Sequence, residues 1–111
     1  MTAYAIANLR SVDRNQQVAD YLLRIDATLE PFSGRFLVHG AIPQLMDGEL
    51  PGVVVVIEFP DLDRAHAWYA SPEYQEILPL RTGNAVGGAV IVDGVPAGYR
   101  ASSLVTGSRA G

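Results

Sequence analysis

The chain has 111 residues, a net charge of −4, no cysteine and no lysine. That length suits one domain, and the composition excludes disulfides, thiolate nucleophiles, iron–sulfur clusters, Cys-ligated zinc and the lysine Schiff base of pyridoxal phosphate chemistry. All eight basic residues are arginine, and they are scattered along the chain, so nucleic acid is not an expected partner.

Hydrophobic residues make up 49% of the chain, yet a domain of this size hides only about two thirds of the surface that its unfolded chain exposes. A second subunit is therefore expected to cover part of the apolar surface. The start of the chain, Met1 to Ala5, has neither a basic region nor a long apolar one, so no signal peptide is expected. The longest apolar run, Val53 to Ile57, is too short to span a membrane. The expectation is a soluble cytoplasmic protein with no membrane partner.

In chain order, Tyr4 to Leu9 predicts a first strand. Ser11 or Asp13 is a candidate helix cap, and Val18, Tyr21, Leu22, Ile25 and Leu29 then recur at helical spacing. A helix from about Asp13 to Leu29 follows, with Pro31 just beyond it. Ser33-Gly34 is a turn, Arg35 to His39 a short strand closed by Gly40, and residues 41–52 a long hairpin connection. Val53 to Phe59 is apolar on both faces, as in a strand buried on both sides of its sheet. One layer of helices covers only one of those faces, which again points to a partner subunit.

Asp61 caps the next predicted helix, where Leu62, Ala65 and Tyr69 share a face. Ser71-Pro72-Glu73 is a second helix start, with a capping serine, proline at the first helical position and an acid in the first turn. Tyr74, Ile77, Leu78 and Arg81 line one face of that helix, and Pro79 is expected to end or kink it. Val86 to Val92 is the last strand, and Asp93-Gly94 turns the chain. The resulting order, β-α-β-β-α-β, predicts an α+β fold of ferredoxin-like type with an antiparallel four-stranded sheet. Residues 1–95 form this domain, and residues 96–111 a C-terminal tail expected to pack on a partner subunit.

Several segments resemble the bacterial DUF1330 family: Ser33-Gly-Arg-Phe-Leu-Val-His-Gly40, Val55-Val-Ile-Glu-Phe-Pro60, Ala67-Trp-Tyr-Ala-Ser-Pro-Glu-Tyr74, Arg81 and Ile91-Val-Asp-Gly94. The resemblance spans roughly residues 3–95. It implies a branch of the dimeric α/β barrel superfamily, in which two four-stranded sheets pack face to face across a homodimer. The chain departs from the family pattern at Ser33, where glycine is usual, and at His39-Gly40-Ala41, where Arg-Gly-Gly is usual.

His39 and His66 are the only histidines. His39 ends the second strand beside a long loop and is read either as a general base, since histidine titrates near neutrality, or as a polar strand end facing water or a partner. His66 is read as a surface residue of its helix. Glu58 is read as an acid or base, or as an ion-pair partner of Arg35 or Arg81. In the split βαβ topology His39 shares one sheet edge with Asn8, while Glu58 shares the other with Tyr4 and Arg35. Five residues of strand separate the two edges by about 17 Å, so His39 and Glu58 form no dyad within one subunit.

Trp68, Tyr69 and Tyr74 cluster at the helix–helix turn, as core packing or as a ligand wall. Tyr74 and Arg81 share a helical face and are suited to bind a carboxylate or an enolate oxygen; the structural alternative pairs Arg81 with Glu58 or Glu76. Metal-ligand spacing and phosphate-binding glycine loops are absent.

Three functions fit this pattern. The first is a cofactor-independent enzyme on a small organic molecule, performing proton transfer, isomerisation, cyclisation or monooxygenase-like chemistry in a cleft between sheet and helices. His39, Tyr74 and Arg81 are its candidate catalytic residues. Asn8, Tyr69, Trp68 and Glu58 are its candidate substrate contacts, and no metal or cofactor is called for. The second is a non-catalytic binder of a small metabolite, and the third a structural or interaction module without a ligand.

Overall fold

The computed structural model describes residues 1–106. Its elements are β1 (Ala3–Val12), α1 (Gln16–Leu29), a 3-10 turn (Glu30–Phe32), β2 (Arg35–Ala41), β3 (Val53–Phe59), α2 (Leu62–Ala70), α3 (Pro72–Thr82), β4 (Ala85–Asp93) and a short α4 (Ser103–Thr106). The four strands form one sheet in the order β2-β3-β1-β4, with every neighbouring pair antiparallel. This is the ferredoxin-like α+β arrangement that the sequence predicts. Among the described residues no helix is long and apolar enough to cross a membrane.

Local chemistry explains the element boundaries. Asp61 caps α2 by accepting from the Arg64 N–H, and Ser71 caps α3 by accepting from the Tyr74 N–H, both as expected. Helix α1 starts later than predicted. Asn15, rather than Ser11 or Asp13, accepts from the Val18 N–H, because β1 continues past a bulge at Leu9/Ser11 to pair Val12 with Ala85. Helix α3 does not end at Pro79 but runs three residues beyond it to Thr82. The carbonyls at that end find other donors: Gly83 N–H bonds Pro79 O at 2.9 Å, and Asn84 bonds Arg81 O through its backbone and Leu80 O through its side chain.

Strand alternation assigns the two sheet faces. Ala3, Ala5, Ile57 and Phe59 are buried and face the helices. The opposite face carries Tyr4, Ile6, Val54, Val56, Val90 and Val92, as the doubly apolar β3 predicts; Val90 is 56% and Val92 41% exposed. The core is densest at the Ala3/Phe59 end, where Phe59, Leu29, Trp68 and Ile77 meet. Each large side chain buried there contributes about 1.5–3 kcal/mol. The Trp68 indole N–H donates to Thr28 Oγ1 at 3.0 Å, and Thr28 donates to Ile25 O at 2.6 Å, so the polar atoms of this core are satisfied.

Gly34 joins the 3-10 turn to β2 at a place where a Cβ would lie 2.7 Å from the Phe59 ring and 2.8 Å from Leu29 Cδ2. Neither neighbour can retreat, because Phe59 and Leu29 are themselves buried in the core. Gly34→Ala is therefore expected to destabilise the fold by about 1–3 kcal/mol through overpacking, read as a lower urea midpoint with an unchanged slope.

Candidate functional site

Beyond Ile57 the helix-facing floor of the sheet carries small residues on β1 and β4, Ala7, Gly87 and Ala89, beside Leu9, Val53 and Val55. Ala7 sits between Val55 and Ala89 in the register, and Leu9 pairs with Gly87. Helices resting on Phe59 and Trp68 at one end cannot close onto alanines and a glycine at the other, and a cavity of about 800 Å³ remains between sheet and helices. Its walls are mostly apolar. Tyr21 and Ile25 come from α1, Trp68 and Tyr69 from α2, Tyr74 and Arg81 from α3, and Phe36 and His39 from β2.

Tyr74 and Arg81 do share a face of α3, and α1 adds a residue that the sequence reading assigned to the core stripe alone. The Tyr21 and Tyr74 hydroxyls are 2.8 Å apart and buried, with their rings edge to face at 6.2 Å. Arg81 faces both oxygens. Two hydroxyls sharing one hydrogen bond retain one proton for donation to a third group. Arg81 is only half-buried, and it pairs with neither Glu58 nor Glu76: Glu58 binds Arg35 at 2.8 Å and Glu76 binds Arg24 at 3.1 Å. Burial alone would lower the Arg81 pKa, but the facing Tyr74 and Tyr21 oxygens outweigh it and hold the pKa above its ordinary value. Burial, reinforced by Tyr74, pushes the Tyr21 phenol well above the ordinary tyrosine range, with Arg81 opposing in part.

His39 reaches the cavity because of a β-bulge. Phe36 pairs with Ile57 and His39 with Val55, with a register shift between Phe36 and Val38. Simple alternation would put Phe36 and His39 on opposite faces; the extra residue in β2 puts both toward the helices. The His39 imidazole stacks on the Phe36 ring at 4.3 Å and 14°.

Trp68 and Tyr69 line the cavity, and Trp68 also packs on Tyr74 with ring centroids 4.1 Å apart. The two remaining candidates lie elsewhere. Asn8 faces away from the helices, and its amide donates to Pro51 O at 3.0 Å and Val53 O at 3.2 Å, which fastens the long loop to the sheet. Glu58 pairs with Tyr4 and Arg35 on that same outer face, at the other end of β3, as the topology predicts; His39 pairs with Val55 rather than lying beside Val53, because β2 runs on to Ala41, so three residues of β3, about 10 Å, separate it from Glu58. The expected substrate contacts of Asn8 and Glu58 are thus corrected, because both belong to the wrong face of the sheet for this cavity. Conversely His66, read as a surface residue, is exposed but also lines the cavity, as do Arg10 and Arg14. Among the described residues no cluster of His, Asp or Glu is arranged to hold a metal ion.

The Tyr21 shift has a measurable consequence. Its protonated form is favoured in the folded state, so its contribution to stability is complete below the unfolded phenol pKa of about 10 and is lost as pH rises beyond it. Urea unfolding from about pH 8 to about pH 11 is expected to show a falling midpoint at the alkaline end, and Tyr21→Phe is expected to reduce that fall. An identical alkaline loss in both proteins would contradict the assignment.

Comparison with known proteins bears on the fold. No curated protein matches the chain. Among solved structures, the RPA0582 protein of unknown function from Rhodopseudomonas palustris is 16% identical with a TM-score of 0.63, over 86% of this chain and 83% of that one. A dimeric ferredoxin-like protein of unknown function from Jannaschia sp. CCS1 is 14% identical with a TM-score of 0.64, over 86% of this chain and 100% of that one. SnoaB from Streptomyces nogalater, a cofactor-independent oxygenase, is 12% identical with a TM-score of 0.52, over 89% of this chain and 96% of that one. The family model for DUF1330, a domain of unknown function, matches residues 2–95, and the chain belongs to that family.

Proposed function

We propose that the protein is a cofactor-independent enzyme that acts on a small organic molecule by proton transfer, with isomerisation or cyclisation as the outcome. The observation that carries this reading is the apolar cavity of about 800 Å³ on whose wall a guanidinium, a hydroxyl pair and an imidazole are placed. Such volumes and a few polar groups on apolar walls are the usual form of a small-molecule site. In this reading His39 removes a proton from a carbon beside a carbonyl. The C–H electron pair moves into the new C=C bond, and the carbonyl π pair moves onto oxygen. Arg81 and the free proton of the Tyr21–Tyr74 pair stabilise that oxygen as its charge develops. Where a C=C bond is conjugated with the enolate, return of the proton to the far end of that bond shifts the double bond and completes an isomerisation; attack of the enolate carbon on a second carbonyl, with protonation of the new alkoxide, closes a ring. The cofactor-independent oxygenase SnoaB, similar in fold, supports a catalytic role that needs no cofactor.

The test is a thermal-shift screen of small acids, quinones and polyketide-like phenols, followed by incubation of each hit in deuterium oxide. A ligand at about 100 times its Kd raises stability by about 2.7 kcal/mol. Wild-type protein is expected to exchange the acidic C–H of a hit for deuterium, read by NMR. His39→Ala is expected to slow that exchange by about 10²–10⁴-fold while still binding. Binding without exchange would make the protein a non-catalytic metabolite binder, and no binding at all would leave an interaction module.

We also propose a homodimer in which the outer sheet faces meet and residues 96–106 of the C-terminal tail pack on the partner subunit; residues 107–111 of that tail lie outside the described residues. The exposed Val90 and Val92 on that face and the dimeric description of a similar structure support it. At micromolar concentration the chain should sediment at twice its 11.9 kDa mass. Val56→Glu, which places a charge at the centre of the face, should give a monomer. A monomeric wild type would end this reading.

A further inference from the structure

Arg10, Arg14 and Arg81 line the cavity, and among the described residues no aspartate or glutamate does. The asymmetry is unexpected in a chain with twelve acidic and eight basic residues. Three other arginines are matched to carboxylates: Arg24 to Glu76 at 3.1 Å, Arg35 to Glu58 at 2.8 Å and Arg64 to Asp61 at 2.7 Å. The three cavity arginines make no ion pair among the described residues. Arg10 is the extra residue of the β1 bulge between Leu9 and Ser11, and Arg14 lies in the connection to α1. Both are exposed, whereas Arg81 is half-buried beside the tyrosine pair.

Unpaired guanidinium groups beside a low-dielectric cavity concentrate positive potential there, and their planar donor fork fits a carboxylate. A small inorganic anion would leave the apolar volume unfilled. A neutral hydrocarbon would leave the arginines unpaired on the wall. We infer that the cavity takes a carboxylic acid with an apolar body, whose carboxylate is held at the outer wall by Arg10 and Arg14 while the body lies among Phe36, Trp68 and Tyr69. Arg81 and the tyrosine pair remain available for the reacting oxygen. This inference rests on the proposed function only in taking the cavity as the ligand site.

The test compares naphthalene-2-carboxylate with its neutral isostere naphthalene-2-carboxamide by isothermal titration calorimetry. Wild type is expected to bind the carboxylate at least about tenfold more tightly, with the difference shrinking as salt is raised. The double variant Arg10→Gln/Arg14→Gln, altered only at exposed positions, should bring the carboxylate to the amide's affinity and leave the amide unchanged. Equal binding of both probes to wild type, or a difference that survives in the double variant, would overturn the inference. Failure of both probes to bind would overturn it too. A third protein, Ala89→Trp, fills the cavity floor. If it binds the carboxylate as wild type does, the cavity reading itself falls; if it binds neither probe while wild type binds both equally, the cavity stands and only the charge assignment is lost.

Discussion

The helix-facing side of β1 carries Ala3, Ala5 and Ala7, and across the register β4 presents Ala89 and Gly87. At the Ala3 end the deficit in side-chain volume is made up by Phe59, Leu29 and Trp68, and the layers close. At the other end the strands offer little for the helices to rest on. Protein interiors otherwise pack to nearly crystalline density, so a void of this size persists only because the closed end fixes the height at which the helices sit. Packing at one end of the sheet and space at the other are therefore a single constraint, and the placement of the polar groups depends on it.

The cluster at the top of the cavity shows how the core and the site are coupled. Trp68 is held by Thr28, which is held in turn by the α1 backbone. Trp68 packs on Tyr74, and the Tyr74 and Tyr21 hydroxyls share one hydrogen bond. A polar pair this deep would be costly if either oxygen were left unsatisfied; here each satisfies the other and Arg81 faces both. The site's orientation is thus set by buried aromatic packing rather than by loops, which is the arrangement that gives precise placement of functional groups.

Much of this was legible from local signals. The Asp61 and Ser71 caps, the doubly apolar β3 and the pairing of Glu58 with Arg35 follow from hydrogen-bonding chemistry and strand topology that act over a few residues. The cavity-facing orientation of His39 and the late start of α1 both depend on β-bulges. Bulges shift register by one residue, and no residue type in Phe36 to Val38 or Leu9 to Ser11 announces them. One of them turns His39 toward the cavity, and the other lengthens β1 and displaces the start of α1. Tyr21 was visible as part of an apolar stripe, but its role depends on Tyr74, 53 residues away, a relation that periodicity cannot carry. Asn8 was placed at the right edge of the sheet and on the wrong side of it, because edge position follows from topology while function at the cavity also requires the correct face.

Pro79 bears on the site more than its place in the sequence suggests. Had α3 stopped there, Arg81 would sit in a loop with no fixed relation to Tyr74. Because the helix continues to Thr82, with Asn84 and Gly83 satisfying its last carbonyls, Tyr74 and Arg81 remain on one face, two turns apart. At about 1.5 Å per residue that is about 10.5 Å along the axis, too far for contact between short side chains. Helical side chains lean toward the N-terminus, however, so the long arm of Arg81 points back along α3 toward the tyrosine pair. A lysine would cover a similar span but would present a single charge, whereas arginine's fork can face two phenol oxygens at once and still present N–H groups to the cavity. The geometry of α3 thus explains why the half-buried cation beside these hydroxyls is an arginine placed near the helix end.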